Sequence, residues 1–476
     1  MPKKAVALFF LLAFIGAAVF IYLTFPRTKD EIPKGNTRPS ILPGPGPQTP
    51  NVPNGVPVPE NAPAPNAPKV PPGPTLHVMA WATGAEARKL SALTDAFAAA
   101  TGRAVALTLE PDPASYRRDL QQAFVTGTPP DLCLVSSRDF SGLDPAEDLA
   151  DLSDQYASAG TSPRATAAFT VNGKLKAQPE EFSVEVLFYN PELFDQAGIA
   201  YPGSHWNWDM LEADTRALTS LQLKDAKGKP TYAIELPANF DLWNILCAEA
   251  GAPALDLDAW RLTDAGKKSA QMHALQVLHD LFQEYAITPP VGKNPALLGQ
   301  YFAEKRAALL IASSDVAATF PPTLHYGMTV LPRDLTLATL ASVNGWAVPA
   351  KSTQSDAAQI LAQYLTQRQV HAGWSSIQPP PADTQEDSPV SVCHAALAQA
   401  LVPRLDASTS HMAQFLDQQL NQLAHNPAQT PEVLYAKIQA EVQAPTSPPA
   451  VRGDAPTPNS TLPAPKTDAS TQLRGL

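Results

Sequence analysis

Three strand-like segments alternate with two amphipathic helices at the start of the region that can fold. The strands are predicted in "TLHVMAW", "AVALTLE" and "DLCLVSS", and the helices in "GAEARKLSALTDAFAAATG" and "ASYRRDLQQAFVTG". This alternation predicts an α/β fold with a parallel sheet covered by helices. Ligands of such sheets bind beyond the carboxyl ends of the strands. Trp81 and Thr83 follow the first strand at this rim, and Ser136 and Ser137 end the third.

The segment "VEVLFYNPELFDQAGI", Val184 to Ile199, adds a second constraint. Its first part alternates like a strand, and the alternation stops at Asn190-Pro191. The residue before a proline avoids the helical conformation, whereas proline itself suits the first turn of a helix. The pattern therefore predicts a strand that leads directly into a short helix, and that crosses from one structural unit into another.

The two ends of the chain differ from this central part. An apolar run from Ala5 to Phe25 is long enough to span a bilayer, which takes about 20 residues. We interpret residues 1–25 as a transmembrane anchor or a signal segment and favour an uncleaved anchor; no cysteine lies near them, which excludes a lipoprotein anchor. Residues 26–74 and 444–476 are rich in proline and small residues, so we expect a disordered linker and a disordered tail.

Composition and motifs exclude several classes of protein. The net charge of -11 offers no basic stripe for nucleic acid. Cys133, Cys247 and Cys393 are too widely spaced for a zinc site and are expected to be buried free thiols. The sequence contains no GxSxG, HExxH, phosphate-binding or dinucleotide-binding motif. It therefore predicts a protein that is not an enzyme and that has no cofactor or metal.

Three of the seven tryptophans stand where a ligand could reach them. Trp81 follows a strand, Trp243 lies near the start of a predicted helix, and Trp346 follows a glycine in "SVNGWAVPAKS". An indole at such a place can stack on the apolar face of a sugar ring, with nearby polar groups binding the hydroxyls. Large aromatic residues also fill hydrophobic cores, so both interpretations stay open for these three.

Five further motifs occur in order along the chain: "FAAATGRAVAL", "FVTGTPPDLCLV", "LFYNPELFDQAGI", "YFAEKRAALLI" and "GWAVPAKSTQSDAAQILAQYL". In order and spacing they resemble the family 1 extracellular solute-binding proteins, the maltose-binding-like receptors of ABC importers. The likeness covers roughly Pro74 to Gln443.

This resemblance implies a two-lobe periplasmic binding protein fold, type II-like, with a ligand cleft between the lobes. Lobe one would comprise residues 75–181 and 346–394, and lobe two residues 182–345 and 395–443. The strand from Val184 to Tyr189 would be a hinge, with the segment from Asn344 to Trp346 as its partner. The cleft residues implied by the resemblance are Trp81, Thr83, Ser136, Ser137, Glu180, Trp243, Asp315, Asn344 and Trp346.

The implied function is to bind a mono- or oligosaccharide outside the cytoplasm and to deliver it to the permease subunits of an ABC importer. The protein would be a monomer, tethered to the membrane by its N-terminal helix. One alternative is a surface sensing or interaction module of the same fold that feeds no permease. A glycan-cleaving enzyme is disfavoured, because Glu180 and Glu181 are neighbours on an extended segment and point to opposite faces.

Overall fold

The structure is a computed structural model. It describes residues 68–154, 162–225, 227–251, 255–256, 261–262, 268–284, 297–368, 377, 384–403 and 407–443. The predicted anchor and tail, and the predicted linker up to residue 67, lie outside these ranges. Within them, no helix has the length and apolar character needed to cross a membrane.

The strands in the described ranges are short except for one, which has 12 residues. In chain order they are β1 (Leu76–Trp81), β2 (Val105–Glu110), β3 (Leu132–Ser136), β4 (Thr170–Val171), β5 (Lys174–Leu175), β6 (Gln178–Tyr189), β7 (Tyr232–Glu235), β8 (Leu255–Asp256), β9 (Arg261–Leu262), β10 (Ala307–Ser313), β11 (Gly327–Thr329), β12 (Thr339–Ala347) and β13 (Ala400–Leu401).

The α-helices lie between these strands and after the last one. They are α1 (Gly84–Thr101), α2 (Pro113–Val125), α3 (Pro145–Asp148), α4 (Pro163–Ala168), α5 (Pro191–Ala197), α6 (Trp208–Ser220), α7 (Phe240–Glu249), α8 (Lys268–His279), α9 (Gln300–Ala303), α10 (Ser355–Gln367), α11 (Pro389–Gln399), α12 (Ala407–His425) and α13 (Pro431–Gln443). Two 3-10 helices span Phe140–Gly142 and Ser314–Thr319, and a π-helical turn spans Asp280–Glu284.

One sheet runs through the described structure in the order β2-β1-β3-β12-β6-β10-β7, with β11 also paired to β6 and β13 to β12. Strand β1 is parallel to β2 and β3, which confirms the parallel arrangement predicted for the first three strands. The complete sheet is mixed, because β12 is antiparallel to both β3 and β6, and β10 is antiparallel to β6. Parallel pairing also joins β10 to β7 and β12 to β13, so the sheet combines both arrangements.

The Asn190-Pro191 break has the predicted local structure. Asn190 caps α5, and its side-chain oxygen accepts hydrogen bonds from the backbone N–H groups of Glu192 and Leu193 at 3.0 and 3.4 Å. Gly198 ends the helix with a φ of 68°, in the left-handed region that glycine adopts readily. The sequence therefore determines both ends of this helix locally.

Two neighbouring strands carry the chain between the two halves of the sheet. The first part of β6, up to Val184, pairs with β12, whereas its second part, from Glu185, pairs with β10. Strand β12 has a bulge between Asn344 and Gly345. A Cβ at Gly345 would lie 2.7 Å from the backbone oxygen of Gln178, so the close approach of β12 and β6 requires glycine there.

Two hydrophobic cores lie on the two sides of this crossing. The first packs α1, α2, α10 and α11 against β1, β3 and β12, and the second packs α6, α7, α8, α12 and α13 around β7 and β10. The first core also includes Phe188, Phe302 and Tyr326, because α11 packs against β6 and β11. The predicted lobe boundary at residues 394 and 395 falls inside helix α11.

Candidate functional site

A cavity of about 230 Å³ lies where the two halves of the sheet meet. Its walls are the ends of β1 and β3, one face of α2, the crossing strands β6 and β12, and the 3-10 helix after β10. Four of the nine residues predicted for the cleft line it: Trp81, Ser136, Asp315 and Asn344. The carboxyl ends of parallel strands thus form one wall, as the alternation of strands and helices predicts.

Trp81 is the aromatic residue of this wall. It is half-buried, and its ring lies 5.1 Å from the ring of Tyr116 on α2, measured between centroids. The hydroxyl of Tyr116 donates a hydrogen bond of 2.6 Å to the backbone oxygen of Leu134, and burial raises its pKa well above the usual value. The Tyr116 ring is therefore fixed in position, and the indole of Trp81 packs against it.

Polar side chains of the crossing strands face the same cavity. Ser136 Oγ lies 3.3 Å from Ser342 Oγ, and Asn344 donates a hydrogen bond of 2.7 Å from Nδ2 to Glu181 Oε1. Ser183 of β6 also lines the cavity. These hydroxyl and amide groups both donate and accept hydrogen bonds, which is the chemistry that binds sugar hydroxyls.

Charged groups surround the polar wall. Arg117 on α2 pairs with Asp139 at 2.8 Å. Arg138, in the loop after β3, pairs with Asp241 in the first turn of α7, so this ion pair connects the two halves of the sheet. Burial lowers the pKa of Arg138, but the neighbouring carboxylates, Asp241 first, raise it by more.

Glu185 lies on β6 beside this ion pair. Burial, together with the carboxylates of Asp241 and Asp315, raises its pKa to about 8, although Arg138 opposes the increase. A carboxyl group with such a pKa is mostly protonated at neutral pH and can donate a hydrogen bond. The crossing strand therefore brings a titratable group to the junction of the two halves.

Three predicted residues lie away from the cavity lining. Thr83 is exposed at the start of α1. Ser137 is fully buried, and its hydroxyl accepts a hydrogen bond of 3.0 Å from the backbone N–H of Val343, so it fastens β12 to the loop after β3. Glu180 is 5% exposed and interacts electrostatically with Lys89 of α1.

Trp243 and Trp346 require a correction, because both are core residues in this structure. Trp243 is 0% exposed in the second core and donates a hydrogen bond of 3.3 Å from Nε1 to the backbone oxygen of Gln271. Trp346 is 1% exposed in the first core. It is the next-to-last residue of β12 and is paired with Leu134 of β3 on one side and Gln178 of β6 on the other, so its indole packs within the protein.

Sequence reasoning did not select several residues that form the site. Tyr116, Arg117 and Gln121 lie on α2 and face the cavity together, and Ser342 and Ser183 pair directly across β12 and β6. The helical spacing of Tyr116 and Leu120, both buried, could have indicated which face of α2 is turned inward. The pair of Arg138 and Asp241 has no such signal, because 103 residues separate its members.

All three cysteines are buried and free, as expected. Among the described residues, no three His, Cys, Asp or Glu side chains form a group that could hold a metal ion.

Comparison with known proteins identifies the family. The family model of the bacterial extracellular solute-binding proteins matches residues 92–390, more than half of the 476 residues. The chain belongs to this family. No curated protein sequence matches this solute-binding protein. Its family consists of substrate-binding proteins outside the cytoplasm, in agreement with the predicted location.

Solved structures of sugar-binding proteins share the fold of this solute-binding protein. The sugar-binding protein MalE of Xanthomonas citri has 20% identity and a TM-score of 0.63, over 77% of this chain and 96% of that one. The ABC substrate-binding protein Lmo0181 of Listeria monocytogenes, in complex with cycloalternan, has 19% identity and a TM-score of 0.62, over 77% and 97%. The maltotriose-binding protein of Thermus thermophilus, bound to maltotriose, has 18% identity and a TM-score of 0.60, over 77% and 98%. The predicted two-lobe α/β binding-protein fold is thereby confirmed.

Proposed function

We propose that this solute-binding protein captures a carbohydrate in the cavity between its two lobes and delivers it to an ABC importer. The observation that carries the proposal is the wall of the cavity, where the half-buried indole of Trp81 stands opposite the polar groups of the crossing strands. Stacking on an aromatic ring together with convergent hydroxyl and amide groups is the combination that a sugar requires. The ligands named for the related structures support the same class of ligand.

The lobes are proposed to be residues 75–181 with 346–394 and residues 182–345 with 395–443, joined by β6 and β12. Two paired strands can act as a hinge when a few residues at the junction change conformation. The change in pairing of β6 at Val184 and Glu185, and the bulge of β12 at Asn344, support such a junction, and Asn344 also lines the cavity. Closure would bring Asp315 of lobe two toward Trp81 of lobe one.

Tethering and delivery complete the proposal. The apolar run from Ala5 to Phe25 would hold the protein at the membrane that contains its permease, and residues 26–74 would let the monomeric binding unit reach it. No catalytic step is required, since capture and release of the sugar suffice.

The experiment is a thermal-shift screen of residues 68–443 against mono- and oligosaccharides, followed by titration calorimetry and small-angle scattering. A sugar at 100 times its dissociation constant should stabilise the protein by about 2.7 kcal/mol. The bound sugar should also reduce the radius of gyration. If no sugar binds, or if Asp315→Ala and Asn344→Ala both leave its affinity unchanged, the cavity is not a carbohydrate site.

A further inference from the structure

A second and larger cavity, of about 660 Å³, lies where the loop between α5 and α6 meets α11. It is bounded by the end of β6, the loop between α5 and α6, strand β11 and the first half of α11. None of its lining residues lines the cavity between the lobes. Its volume falls within the range of about 300 to 1,000 Å³ that is usual for sites of small organic ligands.

Aromatic rings form much of the wall of this second cavity. The rings of Tyr189 and Tyr201 lie 5.5 Å apart with an angle of 31° between their planes. Gly327 of β11 allows this arrangement, because a Cβ there would lie 1.9 Å from the ring of Tyr189. Trp206 and Tyr326 also line the cavity, and both are buried. Four aromatic side chains thus line the cavity.

Acidic side chains outnumber basic ones in the lining of the second cavity. Asp214, Glu386 and Asp387 line it together with His205, and no lysine or arginine is among its described lining residues. Burial raises the pKa of Asp214, and the carboxylate of Asp387 helps to raise the pKa of Tyr189 to about 12, after burial and the neighbouring Tyr201. Three carboxyl groups thus line the cavity beside one histidine, without a lysine or arginine to compensate them.

A buried polar group at the same place has no partner. Tyr326 lines the cavity and is 2% exposed, and its hydroxyl makes no hydrogen bond within the described part of the chain. An unpaired buried hydroxyl is costly, typically by about 1 to 3 kcal/mol. Such a group is satisfied when a ligand or a bound water supplies the missing partner.

We propose that this second cavity binds an organic cation, an ammonium group with an apolar body. A cation near the faces of aromatic rings is attracted by their quadrupoles, and carboxylates nearby add to the attraction. The volume and the apolar wall favour an organic ammonium over a small inorganic ion. The site is independent of the carbohydrate site proposed above, because no residue belongs to both.

The test is titration calorimetry of residues 68–443 with two cations, choline and benzyltrimethylammonium. The uncharged control is 3,3-dimethylbutan-1-ol, the analogue of choline in which a carbon atom replaces the nitrogen. We expect at least one of the two cations to bind, and the uncharged analogue to bind at least about fivefold more weakly. Glu386→Gln combined with Asp387→Asn should weaken binding of the cation by a similar factor. Both residues are exposed, so the variant should fold. The matched control is Asp95→Asn, an exposed carboxylate on α1, which should leave binding unchanged.

A second variant separates the aromatic wall from the charges. Tyr201→Leu keeps an apolar side chain but removes a ring. It should weaken binding of the cation more than binding of the uncharged analogue. Trp81→Ala should leave binding of the cation intact, whether or not a sugar binds between the lobes. The proposal is overturned if neither cation binds, if the uncharged analogue binds equally well, or if the double variant binds the cation like the unchanged protein.

Discussion

Trp81 and Trp346 belong to the same sheet but to different regions of it. Trp81 ends β1 at the rim of the cavity and is half-buried, whereas Trp346 lies within β12, between β3 and β6, and is 1% exposed. Both follow the same rule of residue chemistry, since a large aromatic side chain can fill a core or stack on a ligand. Both lie near the end of a strand, but Trp346 is paired on both sides, with Leu134 and Gln178, whereas Trp81 is paired with Glu110 on one side. The number of paired neighbouring strands therefore separates the two roles.

A similar difference separates residues that line the cavity from residues that fasten the surrounding elements together. Asp315 and Ser136 line the cavity, where a ligand can reach them, whereas the buried Ser137, in the loop after β3, accepts a hydrogen bond from the backbone of β12. We therefore expect substitutions of fully buried residues to affect stability most, and substitutions of residues that line the cavity to affect binding most.

The largest effect on stability is expected for Trp346→Ala. The loss of a fully buried large aromatic side chain typically lowers the free energy of unfolding by about 3 to 5 kcal/mol. Urea denaturation followed by circular dichroism measures it. The control is Trp346→Phe, which keeps a ring and removes Nε1, an atom without a hydrogen-bond partner in the described structure. A loss below about 1 kcal/mol for the alanine variant would contradict the core position.

A smaller loss is expected for Arg138→Met, which removes the ion pair between the two lobes. The variant leaves the carboxylate of Asp241 without its partner, and a hydrogen bond to a charged group contributes about 1.5 to 3 kcal/mol. Arg138 is about one-third exposed, so we expect a value of about 1.5 kcal/mol, at the lower end. The double variant with Asp241→Asn should recover part of the loss, and a purely additive result would mean that the pair is not coupled.

The dependence of stability on pH tests the position of Glu185. Its pKa of about 8 in the folded protein exceeds its ordinary value, so between these two values the folded state binds more protons than the unfolded state. The stability that this proton contributes is complete at acidic pH and is lost as the pH rises toward 8. The change is at most about 1.4 kcal/mol per pH unit.

Glu185→Gln should therefore flatten the dependence of the free energy of unfolding on pH between about 5 and 8. Chemical denaturation at several pH values measures this dependence. The exposed Glu147→Gln serves as the control and should leave the curve unchanged. Equal curves for unchanged protein and Glu185→Gln would mean that the carboxyl group is not buried among the neighbouring acidic groups.

The contrast between Trp81 and Trp346 also indicates what a sequence can predict. The strands β1, β2 and β3, the break at Asn190-Pro191 and the stop at Gly198 follow from residues that are close in the chain. These features depend on local conformation and periodicity, which the sequence displays directly.

Other features depend on contacts between distant residues. The burial of Trp346 depends on two neighbouring strands, and the pair of Arg138 and Asp241 depends on how the lobes meet. Neither of these two features produces a periodic pattern in the sequence. Of the predicted residues at the ends of β1 and β3, Trp81 and Ser136 line the cavity, whereas Thr83 and Ser137 do not, and Trp243 and Trp346 are buried in the cores.

The smallest effect on stability, and the largest on binding, is expected for Trp81→Ala. The indole is half-buried against Tyr116, so its removal should lower the free energy of unfolding by only about 1 kcal/mol.

If the indole stacks on a sugar ring, the same variant should weaken sugar binding about tenfold or more, a difference of at least about 1.4 kcal/mol. Trp81→Phe keeps an aromatic face and should retain most of the affinity, and intrinsic fluorescence of the unchanged protein should respond to the sugar. A variant that unfolds would place Trp81 with Trp346 among the core residues. A stable variant with normal affinity would assign the cavity to some other ligand, because the aromatic face of the rim would then have no part in binding.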